Sequence, residues 1–165
     1  MASRVFGSDT SCLSPADIAA NTLGQQNLWG YGISGDLPIV LVRIGDASAL
    51  PLARQLLVAQ EYWRVKGLPA DLVILNEQPT DYLDEMQNAL SRLVQEPSWA
   101  GWFGKPGGVF LVRSEGMPDA DRRLLSAVAR VVLRGDLGDL SSQLERHGPW
   151  IYDMHDVSRS AELPE

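Results

Sequence analysis

Three short runs, Ile39-Val40-Leu41-Val42, Leu72-Val73-Ile74-Leu75 and Val109-Phe110-Leu111-Val112, are apolar at every position and rich in β-branched residues. A strand with one wet face alternates polar and apolar side chains. A run with no alternation reads as a strand covered on both faces, as in a parallel sheet. Long segments of helical spacing separate the three, and such alternation is the pattern of βαβ units, whose right-handed crossovers lay helices on both sides of the sheet. The expectation is an α/β fold: a small three-layer α/β/α domain with a short parallel sheet of three strands in a βαβαβα, Rossmann-like or flavodoxin-like arrangement, followed by a helical C-terminal extension.

The helices can be placed from their punctuation. After the first strand, Asp46 and Ser48 are good N-caps, and Leu50, Leu52, Leu56, Leu57, Ala59 and Trp63 recur at helical spacing. Pro51 is tolerated there because it falls in the first turn. That helix should end near Lys66, with Gly67 as left-handed cap and Pro69 beyond it. The second helix starts at Thr80 or Asp81, turns Leu83, Met86, Leu90, Leu93 and Val94 inward and Asp84, Glu85, Asn88 and Arg92 outward, and stops before Pro97. From Pro118 a third long helix is expected, with an inward stripe of Leu124, Leu125, Val128, Val131 and Val132 and a cap at Gly135, then a shorter helix over 137–146. Upstream, Ser14 and Pro15 start a short helix reaching about Leu23, and the Gly-, Trp- and Tyr-bearing segment 25–35 suits a turning stretch pressed against the domain. The organisation is a lead-in over 1–27, one domain over 28–147 and a tail over 148–165.

Composition limits the partners. With 45% hydrophobic and 21% charged residues the chain has a globular balance, while a net charge of -7 and a pI near 4.8 repel phosphate backbones and anionic membranes on average. Nucleic acid is therefore not an expected partner. The single cysteine, Cys12, cannot make an internal disulfide. No apolar run approaches the roughly 20 residues of a bilayer crossing, so the chain reads as soluble, without direct membrane insertion. That leaves open its being part of a larger membrane protein.

In an open parallel sheet, ligands gather beyond the carboxyl ends of the strands. Those ends here present Arg43 and Asp46, Asn76 and Glu77, and Arg113, Ser114 and Glu115, a candidate ligand crevice. The same residues also suit ordinary strand ends and helix starts. No G-x-G-x-x-G follows the first strand, no phosphate-binding G-x-x-x-x-G-K-[ST] loop is present, and the glycine-rich stretch 104–108 precedes a strand instead of opening a helix. The stretch 32–35 comes near a nucleophile elbow in letters, but Ser34 lies ahead of the first strand. His147 and His155 have no second cluster of metal ligands to complete a site, and Asp84-Glu85 reads as a solvated helix face. No catalytic residue, metal ligand or cofactor site is assigned. Five tryptophans are a rich supply for 165 residues, and Trp99 and Trp102, beside Phe103, are candidates for sugar stacking; equally, they can pin a long connector to the core.

The stretches LWGYGISGDLPIVLVRI at 28–44 and RQLLVAQEYWRVKGLPADLVILNEQ at 54–78, and more loosely GGVFLVRSE at 107–115 and LLSAVARVVLRGDLGDLSSQL at 124–144, resemble a segment of the bacterial cyclic β-1,2-glucan synthases. The resemblance covers about 28–144 and fades at both ends. It implies a large inner-membrane protein that uses UDP-glucose and a divalent metal in its glycosyltransferase part. The C-terminal part of such a protein is similar to glycoside hydrolase family 94, formerly glycosyltransferase family 36, and this segment would lie in the N-terminal portion of that part. The chain would then be a non-catalytic accessory domain, structural or glucan-contacting, at the cytoplasmic face of the inner membrane, with the remainder of the synthase and β-1,2-glucan as partners. The family's general acid, phosphate-binding residues and metal-binding acidic motif have no matching positions here. The alternative is a free-standing α/β enzyme or small-ligand-binding protein using the strand-end polar residues.

Overall fold

A computed structural model describes residues 24–80 and 84–147. The expected short helix over 14–23, the inward Leu83, the Asp81 cap, Cys12, His155 and the tail fall outside the described residues. After a 3-10 turn at Gln25–Tyr31, the elements are β1 (Ile39–Ile44), α1 (Leu50–Val65), β2 (Asp71–Asn76), α2 (Glu85–Val94), β3 (Val109–Arg113), α3 (Asp119–Val128), β4 (Val131–Arg134) and α4 (Leu140–His147). The sheet is entirely parallel, in the order β3-β2-β1-β4.

The three apolar runs form strands as expected, and each side chain alternates between two cores. Val40, Val42, Ile44, Leu72, Ile74, Val109 and Leu133 face α1 and α2, packing on Leu52, Leu56, Leu57, Met86, Leu90 and Val94. Leu140 of α4 joins this side. Ile39, Leu41, Val73, Leu75, Phe110, Val112 and Val132 face the other way, onto Leu124 and Leu125 of α3 and onto Leu28 and Ile33 of the segment before β1. This is the three-layer arrangement, and it explains why polar residues are missing from both sides of the strands. The Tyr31 hydroxyl donates to Asp121 at the start of α3, which ties the 3-10 turn before β1 to that layer. Burial and then the Asp121 carboxylate push the Tyr31 phenol up to about 12.

The fourth strand corrects the expected third helix. The helix ends at Val128, Ala129 already has extended backbone with ψ 135, and the Arg130 amide donates to the Ile39 carbonyl at 2.8 Å, opening the ladder with β1. Leu124, Leu125, Val131 and Val132 do match a 3.6-residue period. Val131-Val132-Leu133 is also a β-branched run, however, and pairing it with the free edge of β1 satisfies a row of backbone groups that a longer helix would leave bare. Val128, assigned to the inward stripe, is 40% exposed. Gly135 accordingly caps no helix. It starts a 3-10 turn, Gly135–Leu137, which leads to α4.

The connections obey a simple geometry. The chain steps from β1 to β2 to β3 with α1 and α2 on one face, then crosses back over the other face through α3 to reach β4 on the far side of β1. Reversing both the direction and the face keeps every crossover right-handed. The strand order therefore reverses between β1 and β4.

Candidate functional site

A shallow cleft of about 160 Å³ lies at this reversal, beyond the carboxyl ends of the strands, where the fold rule places ligands. Arg43, Gly45, Asp46 and Ala49 line it from the end of β1, Glu77 from β2, and Arg134, Gly135 and Asp136 from β4. Arg43 and Arg134 are register partners on neighbouring strands, and both line the cleft. Each has its own carboxylate. Arg43 Nε donates to Glu77 Oε1 at 2.5 Å, and Arg134 makes a two-pronged contact with Asp136 at 3.1 and 2.7 Å. Asp46 caps the following 3-10 turn by accepting from the Ser48 amide at 2.8 Å, and the Ser48 hydroxyl, then that amide, hold its carboxyl below the usual range.

The floor of the cleft is a close contact between two loops. A Cβ on Gly135 would stand 2.3 Å from the Ala49 methyl and 3.5 Å from the Arg43 carbonyl oxygen. Only a residue without a side chain lets the loop after β4 lie against the loop after β1. α4 then folds back over α1, with the Leu140 amide donating to Gln55 at 3.3 Å.

Of the sequence-derived candidates, Arg43, Asp46 and Glu77 are brought together in this cleft. Arg113 and Glu115 are not, because β3 is the opposite edge of the sheet. Arg113 pairs with Asp84 at 2.7 and 3.1 Å and lies 3.7 Å from Glu115, which in turn accepts the Thr80 amide at 3.0 Å. Asp84 is thus a half-buried ion-pair partner at the N-cap of α2 and not a solvated helical residue. Asn76 is buried; its amide donates to Gln87 at 2.9 Å and its oxygen accepts the Gln78 amide at 3.1 Å, so it shapes the turn after β2.

Sequence reasoning missed Arg134, Gly135 and Asp136 because it read this stretch as the end of one helix and the approach to another; Ala49, between the Ser48 cap and Leu50, was not singled out. A signal was available: LVRIGD ends the first strand and VLRGD the fourth, an apolar run closing in Arg, Gly and Asp each time.

The two tryptophans do not form a common platform. Trp99 is only 4% exposed and packs in the α1–α2 core with the Arg54 guanidinium 5.6 Å from its ring centre, so it offers no open face. Trp102 is 39% exposed, with Arg64 stacked 4.3 Å from its ring centre, and Phe103 beside it is equally open. The connector carrying them is held at the amino end of the sheet. Fully buried Asp71 accepts the Gly107 amide at 2.7 Å, and buried Gln60 donates to the Gly107 carbonyl and accepts from Arg64 at 2.8 Å. The second oxygen of Asp71 has no partner among the described residues. Burial pushes the Asp71 carboxyl up and the Arg64 guanidinium down from their ordinary values.

Among the described residues no group of three His, Cys, Asp or Glu is arranged to hold a metal, and no helix is long and apolar enough to cross a membrane. No family model matches the chain. Over 123 residues, 74% of its length, the chain is 36% identical to the cyclic beta-(1,2)-glucan synthase NdvB of Rhizobium meliloti (strain 1021), and it spans about 4% of that protein. The chain is thus a relative of one segment of the cyclic β-1,2-glucan synthases.

Proposed function

We propose that this chain is a non-catalytic accessory domain of a cyclic β-1,2-glucan synthase, a membrane-bound protein that draws on UDP-glucose and a divalent metal elsewhere in its length. The domain belongs, in this reading, to the N-terminal portion of the region similar to glycoside hydrolase family 94, at the cytoplasmic face of the inner membrane. The observation that carries it is the state of the strand-end cations. Arg43, Arg113 and Arg134 are each held by a carboxylate of the same domain. A phosphate or diphosphate site needs cations left over after the local pairs are made, since a neighbouring carboxylate offsets their attraction for an anion.

Two surfaces fit the accessory role. Val58, Tyr62 and Val65, spaced i, i+4, i+7 on α1, are exposed on one helix face; the remainder of the longer synthase covers them. Trp102, clamped by Arg64 on one side, presents the glucan contact. The purified chain incubated with UDP-glucose and magnesium or manganese, or with β-1,2-glucan and phosphate, should release neither UDP nor glucose 1-phosphate above a heat-killed control. Product that disappears in Glu77→Gln would overturn the accessory reading. It would favour the second one, a free-standing enzyme or ligand-binding protein, which the cleft at the strand reversal supports. Titration with β-1,2-glucan should change indole fluorescence, and Trp102→Ala should abolish the change.

A further inference from the structure

We propose that the cleft between the ends of β1 and β4 binds a neutral polyhydroxylated ligand, one sugar ring gripped through adjacent hydroxyls, and rejects phosphates. This site is separate from Trp102 and from the accessory role: it requires neither the connector nor a larger protein. At about 160 Å³ the cleft falls below the roughly 300–1,000 Å³ of sites for drug-sized ligands, so the occupant is a single small unit.

Charge comes next. Two cations, Arg43 and Arg134, face three carboxylates, Asp46, Glu77 and Asp136. A nucleotide or a sugar phosphate would meet net negative charge. A wholly apolar ligand would strip water from five ionised groups without replacing it. A polyol does replace it. Among the described residues, the Arg43–Glu77 pair uses only Nε and Oε1, the Arg134–Asp136 pair leaves Nη1, and the Asp46 cap uses Oδ1. The lining therefore keeps both guanidinium N–H groups and carboxylate oxygens with hydrogen-bonding capacity left over. A hydroxyl both donates and accepts, so neighbouring hydroxyls can each give a hydrogen bond to a carboxylate oxygen and take one from a guanidinium, and such charge-assisted bonds are the stronger kind. The Gly135–Ala49 contact holds the two loops in place, which lowers the ordering cost of binding.

The test follows backbone amides by NMR in the full chain while glucose, inorganic phosphate and UDP are added separately. Glucose should shift the Gly45 and Gly135 amides with a saturable, millimolar response, and phosphate and UDP should leave them in place. Glu77→Gln unpairs Arg43 beside Arg134; it should weaken the glucose response at least about tenfold, equivalent to about 1.4 kcal/mol, and make the same amides respond to phosphate. Asp136→Asn should act in the same direction through Arg134, and retained amide dispersion shows that each variant is folded. No saturable glucose shift at these amides in the wild type, or a phosphate response as strong as the glucose one, would overturn the proposal. Trp102→Ala should not alter these shifts, so loss of the glucan contact and loss of this site are read independently.

Discussion

At the amino end of the sheet a carboxylate, Asp71, is fully buried and answers to a backbone amide, while at the carboxyl end Arg43, Arg113 and Arg134 stay partly exposed and answer to other side chains. The amino end holds the 100–108 connector in place through Asp71, Gln60 and the Gly107 peptide. Removing one partner there strands a buried polar group, which is costly. At the carboxyl end water can replace a lost partner, and surface ion pairs contribute little to stability. The comparison teaches that polar residues at one end build the fold, whereas those at the other can exchange partners, which is what a binding site requires.

The largest effect should come from Gly108→Ala. Its Cβ would stand 2.0 Å from the Trp102 carbonyl oxygen and 2.9 Å from that of Lys105, backbone atoms that cannot step aside. A loss of about 3 kcal/mol or more in urea unfolding is expected, at the severe end of overpacking, and a near-neutral result would break the view that the amino-end connector is rigid. At the opposite end Gly135→Ala meets the Ala49 methyl instead and should cost about 1–3 kcal/mol. Ala49→Gly in the same chain should recover much of it, because the obstacle is a side chain.

Asp71→Ala should cost about 1–3 kcal/mol by leaving the Gly107 amide unpaired. The sign of its pH dependence follows from burial. Its folded-state carboxyl is raised above the ordinary value of 3.8, so the folded chain holds the proton where the unfolded chain has released it. Its contribution is therefore most favourable below the unfolded value and falls as pH rises through the folded one. Asp71→Asn, neutral at every pH, should lack that slope, and denaturant midpoints across this range, wild type against variant, measure the difference.

The smallest effects sharpen the contrast. Arg113→Ala, which breaks a half-buried two-pronged pair with Asp84, should cost on the order of 1 kcal/mol, and Arg134→Ala, with a more exposed pair, less than that. Thermal melts of both variants beside Asp71→Ala would rank the two ends directly. Arg134→Ala destabilising as much as Asp71→Ala would remove the distinction.

Much of the fold was legible. Runs apolar on both sides identify β1, β2 and β3, and Gly67, with φ 75, terminates α1 where its position suggested. The candidate site was legible in part: Arg43, Asp46 and Glu77 share one cleft, but Arg113 and Glu115 were grouped with them only because strand order is not written in local pattern. The partners supplied by β4 were lost with the strand itself. Val131-Val132-Leu133 satisfies helical spacing and strand composition alike, and no local rule chooses between them.

The sequence by itself determined the double-sided burial of three strands, the helices between them and the Gly67 cap that ends α1, because hydrophobic period and turn chemistry are local properties. The tertiary structure alone decided that 131–134 is a strand, that β4 joins β1 and not β3, and that Arg43 and Arg134 therefore stand side by side. The physical reason is the open edge of β1. Its unpaired backbone groups and the apolar faces on either side accept Val131–Arg134 as a strand, and that gain exists only once the rest of the sheet has assembled.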